Sequence, residues 1–224
     1  PTVSEGNLKV AWAGDTSVII GTMNIPSSGK WYWEAVVPTQ TYNFLALGVV
    51  KNQETSNLNT YLGSVTTGYG VYVSTGQKLV AAVSSTYMAI PSQNTVVTVA
   101  FDADTGTLYI GAGGSWANGS GSTNQTFSTA TSIVTGLTGD ISPAFSFNTG
   151  NVIVNFGQRP FTYTPPSGYV ALNTFNLPSS TIPQGNKYMD ATLYTGNGSA
   201  GTDVQTITNA SSFKPDLVWT KSRS

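Results

Sequence analysis

Gly29-Lys30-Trp31-Tyr32-Trp33-Glu34-Ala35-Val36-Val37 is the stretch that decides the fold. Side chains alternate along a strand, so Trp31, Trp33, Ala35 and Val37 share one face while Tyr32, Glu34 and Val36 share the other. Two indoles on one face carry about 150–250 Å² each of aromatic surface that something else must cover. A second sheet is the natural cover, so the expectation is an all-β chain built as a two-sheet antiparallel β-sandwich with little helix.

Working outward, further strands are expected on either side. Leu8, Val10 and Trp12 alternate, and a Gly14-Asp15 turn precedes Val18-Ile19-Ile20. Phe44 to Val50 is continuously apolar, the mark of a strand covered on both sides. Tyr69, Val71 and Val73 alternate before the Ser74-Thr75-Gly76-Gln77 turn. The β-branched run at 96–101 should direct Val97, Val99 and Phe101 inward, and Asp102 to Gly106 reads as a tight hairpin turn. Residues 111–126 read as a Gly/Ser/Asn loop carrying Trp116. Phe145 and Phe156 lie on the last expected strands and complete the predicted core with Trp31, Trp33, Val97, Val99 and Phe101.

The organisation expected is a sandwich over 1–165, a Pro-rich linker or strap over 166–186, and a β-rich tail over 187–224 that opens a second domain cut short. Strand-like pieces in that tail are Ala191-Thr192-Leu193-Tyr194, Val204-Gln205-Thr206-Ile207 and Leu217-Val218-Trp219. At 224 residues, with 39% hydrophobic content, the chain is large enough for one sizeable core. No apolar run approaches the length that spans a bilayer, and residues 1–5 lack the basic and apolar parts of a signal peptide.

Composition narrows the chemistry. Charged residues make up 8% of the chain, against about 25% in a typical domain, so the surface must be built from neutral hydroxyl and amide groups. A net charge of −1 supplies no basic stripe for phosphates, which disfavours nucleic acid and membrane partners. Histidine and cysteine are both absent, removing the commonest zinc sites and the usual Ser-His and Cys-His nucleophilic systems. Glu34 has no partner carboxylate of the kind glycosidases require, and is expected to pair across the sheet with Lys or Thr. Asp102 and Asp104 lack the remaining ligands of a calcium loop, which leaves the turn reading. No catalytic, metal or cofactor site is expected. The candidate binding residues are Tyr42, Tyr61, Tyr87 and Trp116, aromatics in or beside predicted loops, where such side chains serve as anchors of adaptable surfaces.

GKWYWE at 29–34, LGVV at 47–50, GYGVYVSTGQK at 68–78, VAFDADTGTLYI at 99–110, SPAFSF at 142–147 and VNFGQRPFTY at 154–163 together resemble a SPRY domain. The version they resemble is that of large bacteriophage structural proteins, and the likeness covers residues 5–165. GYVALNTFNLP at 168–178 and FKPDLVWTKSRS at 213–224 resemble the segment that follows it there. The resemblance implies a SPRY-like, concanavalin-like jelly roll that binds through its loops without chemistry of its own. It further implies a structural or interaction module of the virion, in a fibre, tail or capsid-decorating protein, whose partners are other virion proteins or copies of itself. The alternative reading is a lectin-like domain that attaches to a host surface glycan or protein through Trp116 and nearby tyrosines.

Overall fold

The computed structural model describes residues 2–36, 45–52, 60–178, 184–198, 204–209 and 213–221. Two compact units divide the chain, Pro1–Leu177 and Pro178–Ser224. Within the first, β1 (Thr2–Ser4), β2 (Lys9–Ile20), β3 (Lys30–Val36) and β4 (Ala46–Lys51) are followed by β5 (Gly68–Tyr72), β6 (Gln77–Val80) and β7 (Val83–Thr86). Then come β8 (Val96–Asp102), β9 (Thr107–Ala112), β10 (Ser115–Ala117), β11 (Thr123–Gln125), β12 (Ile141–Asn155) and β13 (Val170–Ala171). Among the described residues the only helical elements are short 3₁₀ turns.

The ladder runs β11-β10-β9-β8-β3-β12-β4-β5-β6-β7, and it forms two layers because β12 belongs to both. Its first half pairs with β4, from Ile141↔Lys51 to Ser146↔Ala46, and its second half pairs with β3, from Ile153↔Val36 to Asn155↔Glu34. β2 follows β12 on its other side through both halves. Between them the register jumps from Phe147↔Ser17 to Thr149↔Ala13. Gly14, Asp15 and Thr16 therefore stand opposite Asn148 alone, a bulge that bends the pair from one layer into the other. Gly14-Asp15, expected as a turn between two strands, is thus the bend within a single long one.

The main core lies between the layers. Trp31, Trp33, Val97, Val99 and Phe101, all 4% exposed or less, face Leu45, Leu47, Val49 and Val71 of the opposite layer in one cluster. Phe145 and Phe156 are half-buried at the margin of that cluster, and Phe156 lies 6.3 Å from the Trp33 ring. Gly48 sits opposite Gly70 on β5, where an added Cβ would run into the backbone of Tyr69 and Gly70. That close approach is the reason for glycine in both LGVV and GYGVYV.

The 81–82 connection between β6 and β7 is a two-residue hairpin with Ala81 at φ 49° and Ala82 at φ 68°. Both central residues lie in the left-handed region, where a Cβ is costly and Asn-Gly is preferred. Ala81→Asn combined with Ala82→Gly is therefore expected to raise stability by about 1 kcal/mol, after allowing for the added freedom of the unfolded chain. A urea melt checks it.

Residues 166–177, expected to belong to a linker or strap, are part of the larger unit. β13 adds in parallel to β3 at Val170↔Trp31, and Leu172, 1% exposed, enters the main core. In the second unit the described residues form one 3₁₀ turn at Gly185–Lys187 and no strand. The strand-like pieces of the tail take no ladder there, and Leu193, Val204, Leu217 and Trp219 are exposed. No helix among the described residues is long and apolar enough to cross a membrane.

Candidate functional site

Strand register places several connections at one end of the sandwich. Val36 ends β3 opposite Val96, which starts β8, and Val97 stands opposite Ala112, which ends β9. In the other layer Ala46 starts β4 opposite Tyr72, and Gln77 stands opposite Thr86 at the end of β7. Residues 73–76, 87–95 and 113–114 therefore gather at the end where chain passes between the layers. None of these positions carries a charged side chain. Ile90 is exposed there. At the opposite end stand Lys30 and Asp102, paired at 3.4 Å, together with Asp104 and Asp140. The three connections are neutral, and exposed Asp15 in the β2 bulge stands beside them at the same bend of β12, so it is the connections themselves that form a surface for an uncharged partner.

The four aromatic candidates are not brought together at that end. Tyr42 lies outside the described residues. Tyr61 is half-buried, edge-on to Tyr72 with ring centroids 5.7 Å apart. Tyr87 is fully buried. Its hydroxyl donates to the Thr131 carbonyl at 2.6 Å and accepts from the Ile110 N–H at 3.4 Å. Trp116, expected on a polar loop, sits on β10 at 8% exposure. It is edge-on to Phe127 at 4.9 Å. The correction has a simple cause. Residues 115–117 and 123–125 pair as β10 and β11, so the glycine-rich stretch contributes sheet as well as loop, and its indole joins the outer-face cluster of Tyr32 and Tyr169 beneath Phe127. Only the alternation of Ser115, Trp116 and Ala117 hinted at this, over too short a run to separate strand from loop.

Burial pushes the Tyr87 phenol above its ordinary value of 10. The folded state keeps this proton where the unfolded chain begins to lose it, so the stabilisation is complete below pH 10 and declines as pH rises beyond it. Tyr87→Phe should cost about 1–2 kcal/mol through the lost hydrogen bonds and flatten the alkaline decline, as read from melts at neutral and alkaline pH.

The residue the sequence under-read is Glu34. It lies on the outer face of β3, 2% exposed, beside Tyr32, which belongs to an aromatic cluster with Trp116 and Tyr169 against which Phe127 and Phe161 pack. Thr98 stands across from it in the register. Its carboxylate instead accepts the Tyr32 hydroxyl at 3.0 Å and the backbone N–H groups of Thr162 and Tyr163 at 2.9 Å each. Three donors fix both oxygens, so Glu34 latches the chain leaving β12 onto the sheet. Burial, reinforced by the Glu34 charge, raises the Tyr32 phenol above its ordinary range.

Asp102 acts within its turn, and Asp104 ties that turn to the one before β3. Asp102 Oδ1 accepts the N–H groups of Asp104 and Thr105, at 3.1 and 3.3 Å, and Asp104 Oδ1 accepts that of Gly29 at 2.9 Å. Gly106 closes the hairpin at φ 61°, where an added Cβ would strike the Leu137 backbone. Among the described residues no group of three or more His, Cys, Asp or Glu could hold a metal ion.

Comparison with known proteins adds three findings. The family model described as the SPRY domain matches residues 30–159. No curated protein matches the sequence. Among solved structures, the SPRY domain of human HERC1 aligns with a TM-score of 0.52 at 13% identity, covering 71% of this chain and 94% of that one. At that identity the likeness is one of fold.

Proposed function

Because this chain belongs to the SPRY domain family, we propose that it is a protein-interaction module which meets its partner through the uncharged connections at one end of the sandwich. The observation that carries this is that three separate connections gathered at one end carry no charged side chain, the nearest described charge at that bend being Asp15 in the β2 bulge. The connections at 73–76, 87–95 and 113–114 offer only neutral groups, and a partner docking there has no buried charge to desolvate.

Within that reading we assign the module to a phage virion, as a structural part of a fibre, tail or capsid-decorating protein. Its partners are other virion proteins or further copies of the same chain. Support comes from the phage-like form of GKWYWE at 29–34 and VAFDADTGTLYI at 99–110, and from a chain in which 8% of residues are charged. Host glycan attachment through Trp116 gains no support from an indole that is 8% exposed.

Immunogold labelling of purified phage particles with antibody to the sandwich tests the assignment. Regular decoration of a head, tail or fibre position is the expected result. Unlabelled particles from a lysate rich in the free chain would overturn it. Glycan-array binding lost on Trp116→Ala would restore the attachment reading.

A further inference from the structure

β7 ends the ladder, pairing with β6 on one side and with no strand among the described residues on the other. All four of its residues are exposed, Val83 to 68%. A two-residue hairpin closes on a hydrogen-bonded pair, here Val80/Val83, and bonded and non-bonded pairs alternate from there. Lys78/Ser85 is then bonded, while Leu79/Ser84 and Gln77/Thr86 are not. The N–H and C=O groups of Ser84 and Thr86 consequently point away from β6. Past Thr86 the edge closes, because Gly121 donates its N–H to the Tyr87 carbonyl at 3.3 Å.

Exposed edge strands are usually guarded by charge, proline or a bulge. Val83-Ser84-Ser85-Thr86 has none of these. Two outward-facing residues separated by one form a pattern that is its own complement under a twofold rotation. We propose that a second copy of this chain adds its β7 antiparallel to the first, Ser84 opposite Thr86 in both directions and the two Ser85 residues facing across the axis.

That register makes four interchain hydrogen bonds and brings no charges together. The two Lys78 side chains stand three strand spacings apart, about 14 Å, beyond the screening length of about 8 Å at physiological salt. So short an edge falls well below a standard interface area, so the pairing is transient unless copies are held close. It goes beyond the proposed function and is tested independently of particles.

The test is a cysteine trap on the full chain, which has no native cysteine. Facing residues of a non-bonded antiparallel pair have Cα atoms about 4.5 Å apart, within disulfide reach. Ser85→Cys should therefore form covalent dimers under mild oxidation about tenfold faster than Ser128→Cys, an exposed control position. Adding Ser84→Pro, which removes an outward N–H and spares the bonds to β6, should abolish the difference. Thr86→Pro serves the same purpose if Ser84→Pro lowers the melting temperature. Equal rates for the two cysteine variants, or an advantage that survives both prolines, would overturn the proposal.

Discussion

Trp33→Ala is expected to lower the unfolding free energy by about 3–5 kcal/mol, the range for emptying an aromatic core position. The indole is 4% exposed, on the inward face of β3 in the middle of the interlayer cluster. A crevice lined by Leu47, Val99, Phe145 and Phe156 already adjoins it, so truncation enlarges a void that rigid strands on both sides cannot close. Trp33→Phe retains most of the apolar volume and should cost less than half as much. Urea melts of the three proteins measure both numbers, and an unchanged midpoint for the alanine variant would contradict the interlayer position.

The second large effect is expected at Glu34. Glu34→Ala leaves the Tyr32 hydroxyl and the Thr162 and Tyr163 amides without their acceptor, at a cost of about 2–4 kcal/mol, since bonds to a charged group are the stronger kind. Glu34→Gln keeps one carbonyl oxygen and should lose about half of that. Hydrogen exchange separates the latch from a general loss of stability. The amides of residues 160–165 should exchange faster in the alanine variant, while those of β8 and β9 keep their protection under native conditions. Uniform acceleration across the sandwich would refute the latch.

Much of this fold is legible because its central strands announce themselves. The alternation in β3, the β-branched run of β8 and the turn chemistry of Asp102 and Gly106 each rest on local spacing, and local spacing is what a sequence displays. β2 was harder. A glycine-aspartate pair signals a turn or a bulge equally well, and only the register against β12 separates the two. The strand position of Trp116 and the burial of Tyr87, which does lie in a connection, escape the sequence for a related reason. The three-residue strand that carries the indole, and its equally short partner, show almost no period, and Tyr87 reaches its partners Ile110 and Thr131 across 23 and 44 residues of chain.

Glu34 reads from the sequence as a carboxylate pairing across the sheet with Lys or Thr and not as a buried latch, because its amide partners lie 128 and 129 residues away. The uncharged connections at one end of the sandwich show the same limit from the other side. Composition revealed that the loops are uncharged as a population, whereas gathering 73–76, 87–95 and 113–114 at one end required the strand pairings. A surface assembled from three separate connections has no signature in any one of them.

Hydroxyl-radical footprinting, on the isolated chain and on the assembly that contains it, bears most directly on how the module works. Protection on assembly should concentrate at 73–76, 87–95 and 113–114, with exposed Ile90 the most informative side chain. Protection centred on Lys30, Asp104 and Asp140, with the neutral loops left reactive, would contradict the account.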